Sequence, residues 1–262
     1  MEIPSTLCSN LYDFAFCPEP CYDRLVDLAD PEDWGFNNRI LKNYLSFSFS
    51  RAVFLTERDA NQTAPSNLPL VFDDGRCLFN TGLYTRRYEN IYGLFEPNTR
   101  ADARQHWFLK GFFKESDPML VAFEYLPCRV HFAEDPSELV FDYRLPIRSN
   151  IDHILGDEEN LTRIPASLMG EDNSLLLRRA FEGAVAEAAR RAAANYTLAV
   201  PQFYSGRIQL LLPLCLTSDK PELALTIQRE DGFYAARTCL TIEMAYNNAR
   251  LICRPETSWI KR

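Results

Sequence analysis

Leu70-Val71-Phe72-Asp73-Asp74-Gly75-Arg76-Cys77-Leu78-Phe79 reads as two short apolar runs around an Asp-Asp-Gly turn. Asp and Gly tolerate the left-handed backbone of a tight turn, so the stretch predicts a β-hairpin. Strand-like runs continue at 91–95, 107–113, 120–132 and 139–145. Before the hairpin the period changes. Residues 21–29 read as a short helix, ended by Asp30-Pro31 and Gly35. Residues 38–58 place Ile40, Leu41, Tyr44, Leu45, Phe47, Phe49 and Val53 on one helical stripe. Residues 152–160 read as an acidic loop. A long helix is predicted from Asn173 to about Ala194, capped by Asp172 or Asn173. Its apolar stripe is Leu176, Ala180, Phe181, Ala184, Val185, Ala188 and Ala192. Strands at 208–212, 223–228 and 234–240 precede a closing helix.

Helices mixed with hairpin-spaced strands, without regular alternation, predict an α+β fold. The sheet is expected to be mixed and mainly antiparallel, with flanking helices. One domain over 1–262 is expected, with two lobes as the alternative and the seam near 150–172. No Pro- or Gly-rich linker, low-complexity tract or internal repeat is visible.

The composition is that of a globular chain: 262 residues, 47% hydrophobic and 24% charged. A net charge of -8 argues against nonspecific grip on duplex DNA, which needs an excess of Lys and Arg. Any nucleic-acid contact is therefore expected to be a local basic patch. The eight cysteines lie mostly among apolar neighbours, and only Cys17 and Cys21 are closely spaced. A metal knuckle wants a second such pair, so no metal and no cofactor are expected. The first ten residues lack a secretory leader's basic start and apolar run. No apolar run reaches the ~18 residues of a membrane span. A cytoplasmic protein with reduced thiols and no membrane partner is the expectation.

Three segments carry candidate chemistry. The first holds Asn80, Tyr84, Arg86, Arg87 and Tyr88, interleaving rings with guanidiniums and an amide. Rings stack on bases and guanidiniums hold phosphates, as a single-stranded RNA platform requires. The same pattern also fits a hairpin with its rings packed inward. The second holds Asn195, Tyr196, Gln202 and Tyr204 around Pro201. These are binding groups on a loop, or a helix cap and a backbone partner. The third lies on the closing helix. Ile242, Ala245, Ala249 and Ile252 mark its core face, and Glu243, Asn247, Arg250 and Arg254 mark a polar stripe beside Tyr246. That stripe suits a phosphate or a base edge, or simply faces water.

The stretch from Asn195-Tyr196 through 199–204, 211–214, 223–225 and 238–252 to Trp259 resembles the family catalogued as domain of unknown function 3825. Residues 11–16, 40–45 and 79–83 resemble it too. The chain departs at Thr197-Leu198, where the family pattern has a basic residue. Relatives occur beside RNA-associated modules, so the resemblance implies an RNA- or nucleotide-linked role. RNA or a nucleotide is the expected partner. A protein-interaction scaffold without a small ligand is one alternative. The other is a metal-dependent phosphodiesterase or nuclease using carboxylates between Asp142 and Glu159. Walker loops, Gly-x-Gly-x-x-Gly, His-Glu-x-x-His and Gly-x-Ser-x-Gly are absent from the sequence.

Overall fold

The computed structural model describes residues 7–61, 63–100 and 102–260. The chain divides into two compact units, Met1–Val130 and His131–Arg262. The 150–172 segment lies within the second unit, where Ile154, Ile164 and Leu168 join the core.

The first unit opens with helix α1 (Leu11–Phe14) and the two-residue strand β1 (Ala15–Phe16), then helices α2 (Glu19–Leu28) and α3 (Arg39–Asp59). Strands β2 (Leu70–Asp73), β3 (Arg76–Tyr84), β4 (Asn90–Pro97) and β5 (Trp107–Lys114) follow as an antiparallel meander. The sheet order is β1-β5-β4-β3-β2, with β1 parallel to β5. The β2–β3 turn is two residues, Asp74 (φ 46°) and Gly75 (φ 69°), which is the hairpin the sequence predicts. One sheet face packs on α3, where Phe49 meets Phe79 and Phe95 at 5.5 and 5.9 Å between ring centroids. On the other, Leu78, Tyr92 and Leu94 are covered by Leu120 and Phe123. The 120–132 run is therefore not a strand: Leu120 and Phe123 cover the sheet, while Val121 and Tyr125 are exposed. Its buried residues find a core without a backbone ladder.

The second unit carries a two-residue strand β6 (Ile147–Arg148) and helices α4 (Ile151–Gly156), α5 (Glu158–Leu161) and α6 (Ser174–Ala194). Strands β7 (Val200–Tyr204), β8 (Arg207–Leu214), β9 (Leu223–Glu230) and β10 (Phe233–Thr241) follow, then helix α7 (Ile242–Arg250). The order is β6-β10-β9-β8-β7, with β6 parallel to β10 and the rest antiparallel. Leu210, Leu212, Leu225 and Ile227 face α6, whose Phe181, Ala184, Val185, Ala188 and Ala192 complete the core. The buried stripe of α6 runs through Leu177; Leu176 is exposed. Asn173 precedes α6 without a side-chain capping bond. The 152–160 loop is two short helices, and 139–145 bends through Asp142 instead of running as a strand. Both units are α+β. No helix among the described residues is long and apolar enough to cross a membrane.

Candidate functional site

In the first unit the structure separates the Asn80–Tyr88 group into buried and exposed members. Asn80 is buried; its Nδ2 donates to the Pro127 carbonyl (3.0 Å) and its Oδ1 accepts from Gly82 N–H (2.9 Å). Tyr84 is half-buried under the Arg129 guanidinium, which also donates to its hydroxyl at 3.3 Å. Arg86, Arg87 and Tyr88 form an exposed turn with Tyr88 in the left-handed region (φ 62°).

In the second unit Asn195 ends α6 and caps the 3₁₀ turn Tyr196–Leu198, its Oδ1 accepting from Thr197 N–H at 3.2 Å. Tyr204 is exposed beside the left-handed pair Ser205-Gly206. Gln202 is buried on the sheet face opposite α6. Its Nε2 donates to Gln209 Oε1 (2.8 Å) and its Oε1 accepts from Asn248 Nδ2 (3.0 Å). Thus α7 meets Gln202 through Asn248, not through its neighbour Asn247. Asn247 Oδ1 is buried with no hydrogen-bond partner among the described residues. Tyr246 and Arg250 are buried on α7, whereas Glu243 and Arg254 are exposed. The helix ends at Arg250, so the predicted polar stripe breaks before Arg254.

A separate cleft of about 600 Å³ opens elsewhere in the second unit, lined by residues that include Phe141, Asp142, Tyr143, Arg144, Tyr196 and Arg229. Tyr143 and Tyr196 are 65% and 59% exposed. The cleft has a rigid floor. Phe141 stacks on Tyr234 (5.1 Å, 21°), and the Tyr234 hydroxyl accepts from Asp142 N–H at 2.9 Å. Arg144 grips Asp142 with Nε and Nη2, both at 2.8 Å. That fork, helped by the Arg144 N–H and by Arg229, lowers the Asp142 carboxyl to about 2. Arg229 Nη2 stands 3.9 Å from Asp142, beyond hydrogen-bond reach, and its side chain donates to no other described residue. The turn that carries Tyr196 is tied down just after that residue: Thr257 Oγ1 donates to the Thr197 carbonyl (3.1 Å) and Trp259 Nε1 to the Leu198 carbonyl (2.8 Å).

Of this cleft, the sequence reading singles out Tyr196 and the Asp142 carboxylate, but not Arg229. The signal for Arg229 is faint: it breaks the apolar face of β9 after Leu225 and Ile227. The other acidic candidates have local roles. Asp152 pairs with Arg178, Asp157 caps α5 and Glu159 pairs with Arg163. No group of three or more His, Cys, Asp or Glu suited to a metal ion occurs among the described residues.

A family model described as domain of unknown function (DUF3825) matches residues 25–259. The chain belongs to this family. The matched DUF3825 region contains every residue named for the cleft. No curated protein matches the chain, and no solved structure does.

Proposed function

We propose that this DUF3825 protein binds single-stranded RNA or a nucleotide through its second unit. A base stacks against Tyr143 or Tyr196, and Arg229 takes the adjoining phosphate. The observation that carries this reading is the shared wall: two exposed tyrosines and an arginine with unused donors line one concave surface. Stacking is tolerant of sequence because every base has a π-face, and a guanidinium holds phosphate bidentately. In the first unit, the exposed Arg86-Arg87-Tyr88 turn offers a second group of the same chemistry. No disulfide joins any of the eight cysteines, which fits a reducing compartment such as the cytoplasm.

The test is binding of fluorescein-labelled single-stranded RNA, with nucleoside monophosphates as competitors. Tyr143→Ala and Tyr196→Ala are each expected to weaken binding about ten- to hundredfold, the usual worth of one stacked base. Arg229→Ala is expected to weaken it as well. Competition by the monophosphate identifies a nucleotide site; its failure with RNA still bound identifies a strand site. Unchanged RNA affinity in a folded Tyr143→Ala/Tyr196→Ala protein, or no binding by the parent, ends the proposal.

A further inference from the structure

Both units follow one plan. In each, a two-residue strand precedes a 21-residue helix, with shorter helices between them, and a four-stranded meander follows whose last strand pairs parallel with that two-residue strand. The first hairpin of each meander turns on two left-handed residues, Asp74-Gly75 and Ser205-Gly206. Counting outward from the closing pairs Asp73–Arg76 and Tyr204–Arg207 aligns the two sheets. Val71, Leu78 and Leu94 of the first then match Gln202, Gln209 and Gln228 of the second. Both triplets lie on the face turned away from the long helix.

The contrast between the triplets is chemical. In the first unit these three positions are apolar and buried, with Leu120 and Phe123 covering Leu78 and Leu94, and the buried amide beside them, Asn80, bonds to the Pro127 carbonyl and to Gly82 N–H, not to another side chain. In the second it carries three buried glutamines. A buried amide is costly unless bonded, and these are bonded in series. Asn248 Nδ2 donates to Gln202 Oε1 (3.0 Å), Gln202 to Gln209 (2.8 Å), Gln209 to Gln228 (3.2 Å) and Gln228 to Glu230 (3.0 Å). Arg237 closes the series on the same Glu230 oxygen. Every amide donates in one direction, toward the carboxylate, so each bond polarises the next.

The series begins on α7. That helix has nine residues, fewer than the ~12–15 an isolated helix needs in water, so its order depends on docking. We infer that the two units are copies of one module, and that the second has replaced an apolar sheet face with an amide relay that anchors α7. Gln202, Gln209, Gln228 and Asn248 are thus positioning residues for the helix bearing Tyr246, Asn247 and Arg250. The inference is independent of RNA binding.

Hydrogen–deuterium exchange on the full chain tests it. Asn248→Ala removes one link without touching the sheet. Amide protection across α7 is expected to fall at least tenfold while β8 and β9 keep theirs. Gln202→Val/Gln209→Leu/Gln228→Leu installs the first unit's residues. It is expected to keep the Tm of the parent and still lose α7 protection. A purely packing role predicts unchanged α7 protection in both variants, or a uniform loss over the sheet, and either result overturns the inference. If the triple variant does not fold, Asn248→Ala alone decides.

Discussion

At Asp142, both carboxylate oxygens accept from Arg144, while Arg229 stays 3.9 Å away. This asymmetry leaves one arginine hydrogen-bonded to the carboxylate and the other paired with it by charge alone. It also has a pH signature. The folded carboxyl sits at about 2, below the ~3.9 of an unfolded aspartate. A depressed folded value adds stability that is present above the unfolded pKa and lost as pH falls through the folded one. The loss belongs to the window from roughly pH 4 to pH 2. Asp142→Asn is expected to flatten the fall of Tm across that window relative to the parent. Parallel Tm–pH curves would show that the Arg144 fork does not stabilise the fold. At this scale the sequence is informative for local pairs such as Asp142 and Arg144, two residues apart. It gives only a faint sign of Arg229, which reaches the cleft through the pairing of β9 with its neighbours.

Helices and hairpins were legible where their cause was local. The α3 stripe apart from the exposed Phe47, the Asp74-Gly75 turn and most of α6 follow from periodicity and turn chemistry. Strands β6 and β7 were not, because two residues carry no period and Pro201 disguised an edge strand as a loop. The 120–132 run misled for the opposite reason, since covering a sheet demands the same apolar residues as joining one. Glycine substitutions separate turn strain from crowding. Gly75 and Gly206 have positive φ, and a Cβ at either meets nothing within 4 Å. Ala at each is expected to cost about 1–2 kcal/mol, the penalty of the left-handed backbone alone. Gly82 also has positive φ, and its Cβ would lie 2.5 Å from Tyr44 Oη, which donates to the Thr81 carbonyl. Gly82→Ala is expected to be the most destabilising of the three by urea midpoint. A cost no greater than that of Gly75→Ala would mean that Tyr44 yields freely.

Over the whole molecule, the common plan of the two units escaped the sequence because the equivalent positions differ in kind: Val71, Leu78 and Leu94 against Gln202, Gln209 and Gln228. A sheet tolerates either set if its face is suitably covered, so topology persists where residue identity does not. The net charge of -8 bears on the proposed ligand. Each phosphate neutralised on a single strand contributes about -0.7 to the slope of log affinity against log salt. With Arg229 as the principal cation, a slope near ~-1 is expected, set by one or two contacts. A slope steeper than about -4 would place the binding surface outside the cleft.

The bond from Trp259 to the Leu198 carbonyl gives the protein an intrinsic optical probe. An indole's emission follows the polarity and rigidity around it, and this one is fastened to the turn that presents Tyr196. A guest settling on that tyrosine shifts the fluorescence with no dye attached. Trp34 and Trp107 lie in the first unit, so Trp259 reports from the second alone.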